Sequence, residues 1–171
     1  IQSFEIDRSA VTHAQFLRFV ESGQYLERTG RAYPKFWRRA GGAWEMRSFD
    51  QWIALPLAAP MVHVSAHEAE AYCDWVGRRL PSEQEWESTA RLRLIEWGDS
   101  VWEWTSTAFA PYAGFTPDRY REYSAPWFDG AHRVLRGGSF ATLDLMHNLA
   151  YRNFFQPHRN DVFAGFRTCA V

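Results

Sequence analysis

The chain is poor in lysine, in cysteine and in net charge. Lys35 is its only lysine, and 19 basic against 20 acidic residues leave a formal net charge of -1. Such a balance gives no electrostatic footprint for nucleic acid or for an anionic membrane surface. No apolar run approaches the length of a membrane span, and no signal-like segment opens the chain. We therefore expect no nucleic-acid partner, no membrane partner and a cytoplasmic location.

Cysteine and histidine do not form a recognisable metal or redox motif. Cys73 and Cys169 lie far apart with no CxxC pair, which leaves a disulfide open but favours two buried thiols. The six histidines are scattered, and His63 and His67, which are four residues apart, straddle a predicted strand-to-helix boundary. Helical i,i+4 ligation of a metal therefore fails there, and the sequence predicts no metal ligands in this chain.

Arginine and aromatic rings are abundant instead. Aromatics make up 17% of the 171 residues, nine of them tryptophan, and every Lys or Arg position except one is arginine. Arginine favours planar forks that pair with carboxylates and stack on rings. The rings fit either a loop-rich core that needs large side chains or a ring-lined pocket. The length suits one domain with a real core.

Local patterns predict three helices in the front half. Thr12 can cap a helix that ends near Gly23. Capping boxes of the type Ser-x-x-Glu open two more helices after Ser65 and Ser82, and the first of these should stop at Gly77.

Strands are predicted to be short. They are expected at residues 4–6 and 61–64, with a long ordered loop at residues 30–60 between them. From Trp97 onward the chain reads as short strands and loops. The fold class is therefore α+β with sparse regular structure.

Four ordered segments carry a resemblance to a known superfamily. They are residues 79–87 (RLPSEQEWE), 101–105 (VWEWT), 136–140 (RGGSF) and 163–167 (FAGFR). In this order they resemble the formylglycine-generating-enzyme, or sulfatase-modifying-factor, superfamily, whose fold is a variant of the C-type-lectin fold. The resemblance spans essentially residues 1–171 and implies a single domain of that fold, although fold does not fix function.

Three branches of the superfamily differ in their chemistry. The formylglycine-generating enzyme itself is a copper oxidase with a closely spaced cysteine pair near its C-terminus. Here Cys169 has no neighbouring cysteine, so a thiol-bound copper site is not expected. The second branch consists of non-catalytic, lectin-like binding modules, which stay an alternative. The third is the ergothioneine-biosynthesis sulfoxide synthase family with its selenoneine synthase relatives.

The third branch is the best match. Residues 111–115 (PYAGF), 120–124 (YREYS), 151–155 (YRNFF) and 160–167 (NDVFAGFR) resemble it specifically, and the selenoneine synthases are the most similar members. The resemblance implies an iron(II) enzyme that uses O2 to join sulfur or selenium to the imidazole of hercynine, which is Nα-trimethylhistidine.

The resemblance also implies a second domain. Iron in this family is held by an N-terminal helical bundle with a His-x-x-x-Glu-x-His arrangement, and this chain has no such spacing. The chain is therefore expected to be the C-terminal, substrate-binding half of a longer protein and to be inactive alone.

Individual residues acquire roles from the same resemblance. Tyr120 is placed as the catalytic phenol that supplies a proton and an electron, with Tyr123 beside the substrate. A quaternary ammonium cannot donate a hydrogen bond, so ring faces and dipolar oxygens must hold it. Tyr123, Phe154 and the side-chain carbonyl of Asn153 are suitable types for that task.

The donor of sulfur or selenium depends on the residues after Asn153. Mycobacterial-type members have Trp-Asp where this chain has Phe154 and Phe155, which removes a carboxylate associated with γ-glutamylcysteine. Phe155 in the substrate site therefore favours cysteine or a selenium-bearing sugar (a selenosugar) over γ-glutamylcysteine. Arg159 is either the partner of an anionic donor group or a surface fork.

Other motif residues are expected to serve the structure. Trp102 and Trp104 should face the core. Arg136 and Arg167 should pair with buried carboxylates or carbonyls.

Calcium is the remaining cofactor to consider. Glu103 should order loops, in some superfamily members through calcium. The asparagine that the family carries near this point is replaced by residues 99–100 (Asp-Ser). This replacement weakens the case for a structural calcium but leaves it as an alternative.

Overall fold

Helices and short strands share the chain, with long connections between them. The computed structural model describes residues 2–98 and 100–171, without the side chain of Tyr123. The α-helices are α1 (His13–Glu21), α2 (Gln24–Thr29), α3 (Ala66–Val76) and α4 (Glu83–Arg91). The strands are β1 (Trp37–Ala40), β2 (Ala43–Ser48), β3 (Gln51–Ala54), β4 (Arg78–Arg79), β5 (Trp102–Ala108), β6 (Arg133–Gly137), β7 (Asn153–Phe155), β8 (Ala164–Gly165) and β9 (Cys169–Ala170). Short 3-10 helices lie at Arg121–Tyr123, Ala125–Trp127 and Asp144–Met146. This content confirms the α+β class with little regular structure.

The described strands pair in three groups. Strands β1, β2 and β3 form an antiparallel sheet in that order, and β4 pairs with β9. The central sheet has the order β7-β6-β5-β8, in which β5 and β8 run parallel and the other pairs are antiparallel. Strand β7 is therefore an edge strand, and its three residues are half-buried.

The three predicted helix starts are confirmed, and local side chains explain them. Thr12, Ser65 and Ser82 each accept a hydrogen bond from the backbone N–H three residues on, and the side-chain oxygen at that position accepts the backbone N–H of the capping residue. This reciprocal capping box satisfies two backbone donors that the first helical turn leaves unpaired. Helix α3 ends at Gly77, which adopts the left-handed conformation with φ of 68° that glycine reaches without a Cβ penalty.

The loop predicted at residues 30–60 is wrong, because residues 37–54 form the antiparallel β1-β2-β3 sheet with its two turns. Gly41 and Gly42 both have positive φ, 56° and 86°, between the paired residues Ala40 and Ala43. Two consecutive left-handed residues form the tight turn that matches the twist of a hairpin. The Gly-Gly pair was therefore a hairpin signal within a segment whose glycine, proline and tryptophan content indicated a loop.

Two further expectations about local structure need correction. The strand predicted at residues 61–64 is absent from the described chain, since His63 has a φ of 60° that no extended strand accommodates. The strand predicted at residues 4–6 is reduced to a single bridge between Ile6 and Cys169. Gly23 ends α1 as expected, but the following α2 was not predicted.

Aromatic rings fill the main core. Phe16 and Phe19 of α1 are fully buried and pack against Tyr72 of α3, with ring centroids 5.6 and 5.7 Å apart. Trp104 is also fully buried, and its indole N–H donates to the Val64 carbonyl at 2.7 Å. This bond gives a partner to the indole N–H, a polar group that would be costly to bury without an acceptor. The core placement of Trp104, and of Trp102 beside it, is confirmed.

The two motif arginines are buried and pair with carboxylates and carbonyls, as predicted. Arg167 is fully buried and donates to both oxygens of Glu103 at 2.5 and 2.7 Å. Arg136 is equally buried and donates to Glu87 at 2.5 Å and to the carbonyl of Leu149. Charge-assisted bonds of this kind are the condition under which a buried cation is tolerated.

The cysteines are two buried free thiols, which is the state that the sequence favoured. Burial raises the pKa of the Cys73 thiol to about 12 and that of the Cys169 thiol to about 11. Both groups are therefore protonated and inert as nucleophiles at neutral pH. Among the helices of residues 2–98 and 100–171, none combines the length and apolarity needed to cross a bilayer.

Burial of His13 predicts a loss of stability in mild acid. The ring is 1% exposed, its Nδ1 lies 3.1 Å from the Ala59 carbonyl, and burial lowers its pKa from 6.5 to about 4. The unfolded chain therefore takes up a proton near pH 6.5, whereas the folded chain does not until about pH 4. The free energy of unfolding should fall by about 3 kcal/mol from this group as pH drops through that window.

The measurement is urea unfolding of the wild type and of His13→Asn across that window. The asparagine keeps an N–H donor near Ala59 but does not titrate. We expect the variant to lose less stability than the wild type as pH falls. Parallel pH profiles for the two proteins would contradict the assignment to His13.

Candidate functional site

An aromatic cluster joins the edge strand β7 to the long loop between β5 and β6. Phe154 of β7 stacks on Phe109, with ring centroids 4.1 Å apart and planes 12° apart. Trp127 and His132 lie against the same ring at 6.0 and 5.7 Å. We call these four residues the aromatic shelf. Because Phe109 and His132 are buried while Phe154 is half-buried, the shelf presents ring surface from a fixed base.

Asn153 precedes the shelf residue Phe154 in β7, and its side-chain oxygen accepts one hydrogen bond. Its side-chain oxygen accepts the N–H of Phe154 at 2.9 Å, and its backbone pairs with Leu135 of β6. An amide oxygen has two acceptor sites, so one remains for a second partner. Neighbouring residues of a strand project to opposite faces, so the side chain of Asn153 leaves β7 on the face of Phe155 and not on that of the Phe154 ring. The joint contact of Asn153 and Phe154 with one ligand stays a prediction.

Tyr120 belongs to the loop that carries Trp127. Its side chain is 59% exposed, and its backbone N–H donates to Asp118 at 2.8 Å. The first 3-10 helix of the loop begins one residue later and includes Tyr123, whose side chain lies outside the described residues. The indole N–H of Trp127 donates to the Glu122 carbonyl at 2.8 Å, which ties the Tyr120 segment to the shelf.

A cavity of about 430 Å³ lies in the same loop, lined by Arg121, Glu122, Ala125 and Pro126. Asn153 and Phe154 are not among the residues that line it. The structure thus brings the Tyr120 loop and Phe154 together through Trp127, while the joint role of Tyr120 and Asn153 at one substrate stays a prediction.

Phe155 and Arg159 form a different environment on the other side of β7. Phe155 packs against the main core, and the Arg159 guanidinium lies 5.4 Å from the centre of its ring. Arg159 donates to both oxygens of Asp161 at 2.5 and 2.8 Å, which lowers the pKa of Asp161. The fork is therefore already paired at the surface, and its role with an anionic donor stays a prediction.

A buried carboxylate that the sequence did not single out holds an arginine against the shelf residue Phe109. Glu83 is 2% exposed and accepts two bonds from Arg152 at 2.8 and 2.9 Å and one from Tyr112 at 3.2 Å. The Arg152 guanidinium lies 4.8 Å from the ring centre of Phe109 and 4.3 Å from that of Tyr112. The Arg152 guanidinium, held by Glu83, thus contacts both the Phe109 ring that stacks on Phe154 and Tyr112 in the connection between β5 and β6.

His132 is the second residue that the sequence did not single out. Its Nδ1 lies 2.9 Å from Asp129, and this bond lowers the pKa of the exposed Asp129 carboxyl. The contact fixes the ring orientation at the edge of the shelf. Spacing of three residues between Asp129 and His132 was the available signal, but many such pairs occur on protein surfaces.

The described residues do not form an iron site. No group of three His, Cys, Asp or Glu side chains within residues 2–98 and 100–171 is placed to hold a metal ion. His67 lies 3.8 Å from Glu70, and His63 packs between the rings of Phe36 and Phe163. The residues present therefore do not fit the ligand set of a mononuclear iron centre.

The calcium alternative also finds no fit at Glu103. Both of its oxygens accept bonds from Arg167, and one of them also accepts the indole N–H of Trp86 at 2.9 Å. The acceptor sites of Glu103 are therefore occupied by protein donors, the Arg167 guanidinium among them, and not left open for a metal ion. Asp99, on which the sequence argument depended, lies outside the described residues.

The matching family model and two similar proteins agree on one family of proteins. Residues 1–100 and 94–170 match the sulfatase-modifying factor enzyme 1-like domain. The chain is 32% identical to a hercynine oxygenase of Mycobacterium tuberculosis, an alignment that covers 98% of this chain and 52% of that protein. It is 27% identical to ergothioneine biosynthesis protein 1 of Schizosaccharomyces pombe, over 98% of this chain and 26% of that protein.

A solved structure supports the architecture. PvdO from Pseudomonas aeruginosa superposes with a TM-score of 0.62 at 18% identity, over 97% of this chain and 79% of that one. At this identity the likeness concerns the fold alone. The chain spans about half the length of the hercynine oxygenase that it matches, or less in the case of the yeast protein.

Proposed function

Because the chain belongs to the sulfatase-modifying factor enzyme 1-like family, we propose that it is the hercynine-binding part of an O2-dependent enzyme of ergothioneine or selenoneine biosynthesis. The supporting relatives bear the names hercynine oxygenase and ergothioneine biosynthesis protein 1. The observation that carries the proposal is the aromatic shelf around Phe154, with Asn153 as the preceding residue of β7. A ring face and an amide oxygen are the groups that hold a trimethylammonium, which offers no hydrogen bond.

The proposal assigns binding and proton delivery to this chain. The trimethylammonium lies on the shelf against Phe154 and the oxygen of Asn153, and Tyr123 contacts the substrate. The phenol of Tyr120 would supply a proton and an electron during the oxygen chemistry at the imidazole, and it would regain both from the substrates, which O2 oxidises overall. Iron would come from a helical bundle elsewhere in the protein, because the described residues include no group that could hold a metal ion.

The donor in this proposal is cysteine or a selenosugar, and the selenium branch is favoured. Phe155 supplies an apolar ring where γ-glutamylcysteine users carry a carboxylate, and Arg159 lies over that ring. An anionic donor could bind the Arg159 guanidinium in place of Asp161. Loss of this exposed Arg159–Asp161 ion pair would cost only about 0–1 kcal/mol. Incubation with hercynine, iron, O2 and alternative donors, followed by product mass, distinguishes a C–S from a C–Se bond.

Substitution of Phe154 tests the shelf directly. Phe154→Leu keeps apolar bulk but removes the ring face, and it should weaken hercynine binding by about 0.5–2 kcal/mol, the range of a cation–π contact. Phe154→Trp should bind hercynine at least as tightly, since tryptophan is the best ring for a cation. Isothermal titration of the protein, joined to its iron-binding domain, provides the affinities.

A matched control is Phe140→Leu, which changes an exposed phenylalanine whose ring contact is with Phe163. It should leave hercynine affinity unchanged. A wild type that gives no heat with hercynine would reject the proposal and would favour the lectin-like binding module with another ligand. Equal losses for the leucine variants at 154 and 140 would show that the shelf is not the binding surface.

A further inference from the structure

A basic cavity lies apart from the residues assigned to hercynine. It has a volume of about 250 Å³ and opens between the end of α2, the start of α3 and the turn after β7. Its wall includes two arginines and two histidines, Arg28, Arg31, His67 and His158. None of these residues takes part in the aromatic shelf.

Much of the donor capacity around this cavity is not used by the protein. Within the described residues, the side chains of Arg31, His158 and Asn160 form no hydrogen bond or salt bridge. Arg28 lies 3.8 Å from Asp74, a carboxylate whose side chain is 70% exposed. Such a long, solvated contact contributes little and is readily exchanged. Arg31, His158 and Asn160 therefore keep unpaired donor groups at the wall of the cavity.

The one carboxylate in the wall does not neutralise the arginines by pairing with them. Glu68 is buried and accepts the Tyr25 hydroxyl at 2.6 Å, the Ser65 N–H at 2.8 Å and the Ser65 hydroxyl at 2.6 Å. No salt bridge joins Glu68 to Arg28 or Arg31 in the described part of the chain. Its role is to cap α3, so the side-chain donors around it remain available.

The backbone of α3 is also engaged at this end. The N–H of Ala66 donates to the Pro157 carbonyl at 2.9 Å, and the N–H of Glu68 donates to Ser65 at 3.2 Å. Two of the N–H groups at the start of α3 are therefore already paired inside the protein. Two guanidinium forks, two imidazoles and an amide are suited to a ligand with several acceptor oxygens.

We propose that this cavity binds a small oxyanion group, either a phosphate or a carboxylate. The guanidinium of Arg31 is the principal ligand contact, because it is a fork with no internal acceptor. Arg28 turns from Asp74 toward the anion, and His158 and Asn160 donate from the opposite wall. The cavity volume suits one such group with a short attached chain, and the site does not depend on hercynine binding.

Titration calorimetry with inorganic phosphate at low ionic strength tests the proposal. We expect saturable binding at one site per chain in the wild type and affinity about tenfold weaker in Arg31→Ala, as for loss of a charge-assisted fork. Arg31→Lys should fall between the two, because it keeps the charge but not the planar donor geometry. Acetate in place of phosphate distinguishes a carboxylate ligand from a phosphate ligand.

The matched control is Arg18→Ala, which removes the same charge from an exposed arginine of α1. It should bind phosphate like the wild type. Absence of saturable heat with both phosphate and acetate would overturn the proposal. An equal loss in Arg18→Ala and Arg31→Ala would also overturn it, since it would assign the binding to net charge. Thermal unfolding of each variant confirms that it is folded, and hercynine titration reports separately on the shelf.

Discussion

Replacement of Arg167 by methionine should lower the free energy of unfolding by about 3–5 kcal/mol, the usual result of removing one partner of a buried ion pair. Glu103 would be left as a buried carboxylate without its cation. The carbonyls of Asp7, Arg8 and Glu96 would also lose a donor that now lies 2.5–2.8 Å away. Since domains of this kind are stable by only about 5–15 kcal/mol, much of the fold's stability depends on this side chain.

Urea unfolding measures the effect, with Arg159→Met as the matched control. Arg159 forms the same two-bond fork with Asp161, but both side chains are about half exposed, at 42% and 50%. The control should therefore lose no more than about 1 kcal/mol. A double variant, Arg167→Met with Glu103→Leu, should recover part of the loss, because it removes the stranded charge. A similar small loss for Arg167→Met and Arg159→Met would contradict the structural role.

The sequence predicted the elements whose causes are local. Each capping box needs only a Ser or Thr and an acceptor side chain three residues on, so the starts of α1, α3 and α4 were visible in the sequence. The sheet formed by β1, β2 and β3 was missed although Gly41 and Gly42 are a local turn signal, because the glycine, proline and tryptophan content of residues 30–60 indicated a loop. The arginine motifs were recognised as structural, but their partners were not identifiable, since Arg167 and Glu103 lie 64 residues apart.

The candidate site was predictable in residue type but not in geometry. The sequence selected Phe154 and Asn153, and it could not show that Phe109 stacks under Phe154 or that Glu83 holds Arg152 from 69 residues away. These contacts arise from the tertiary arrangement of β5, β6 and β7. Arg159 shows the opposite case: its partner Asp161 lies only two residues away, and the nearby carboxylate was the signal for a surface fork.

Tyr120→Phe should reduce turnover by about 10²–10⁴-fold, the contribution of a positioned proton donor, in the protein that includes the iron-binding domain. The substitution removes only the phenol oxygen, so the bond from Trp127 to the Glu122 carbonyl and the shelf itself should persist. Hercynine affinity should therefore stay close to that of the wild type. Oxygen consumption and product mass measure turnover, and calorimetry measures affinity.

The control for this experiment is Tyr33→Phe, which removes a hydroxyl from an exposed tyrosine that packs on Trp44 at 5.7 Å. It should leave both turnover and affinity unchanged. Wild-type turnover in Tyr120→Phe would exclude the phenol as proton donor. Loss of affinity in parallel with turnover would instead assign Tyr120 to substrate binding. Only a fall in turnover at constant affinity fits a group whose interaction with the substrate develops in the transition state.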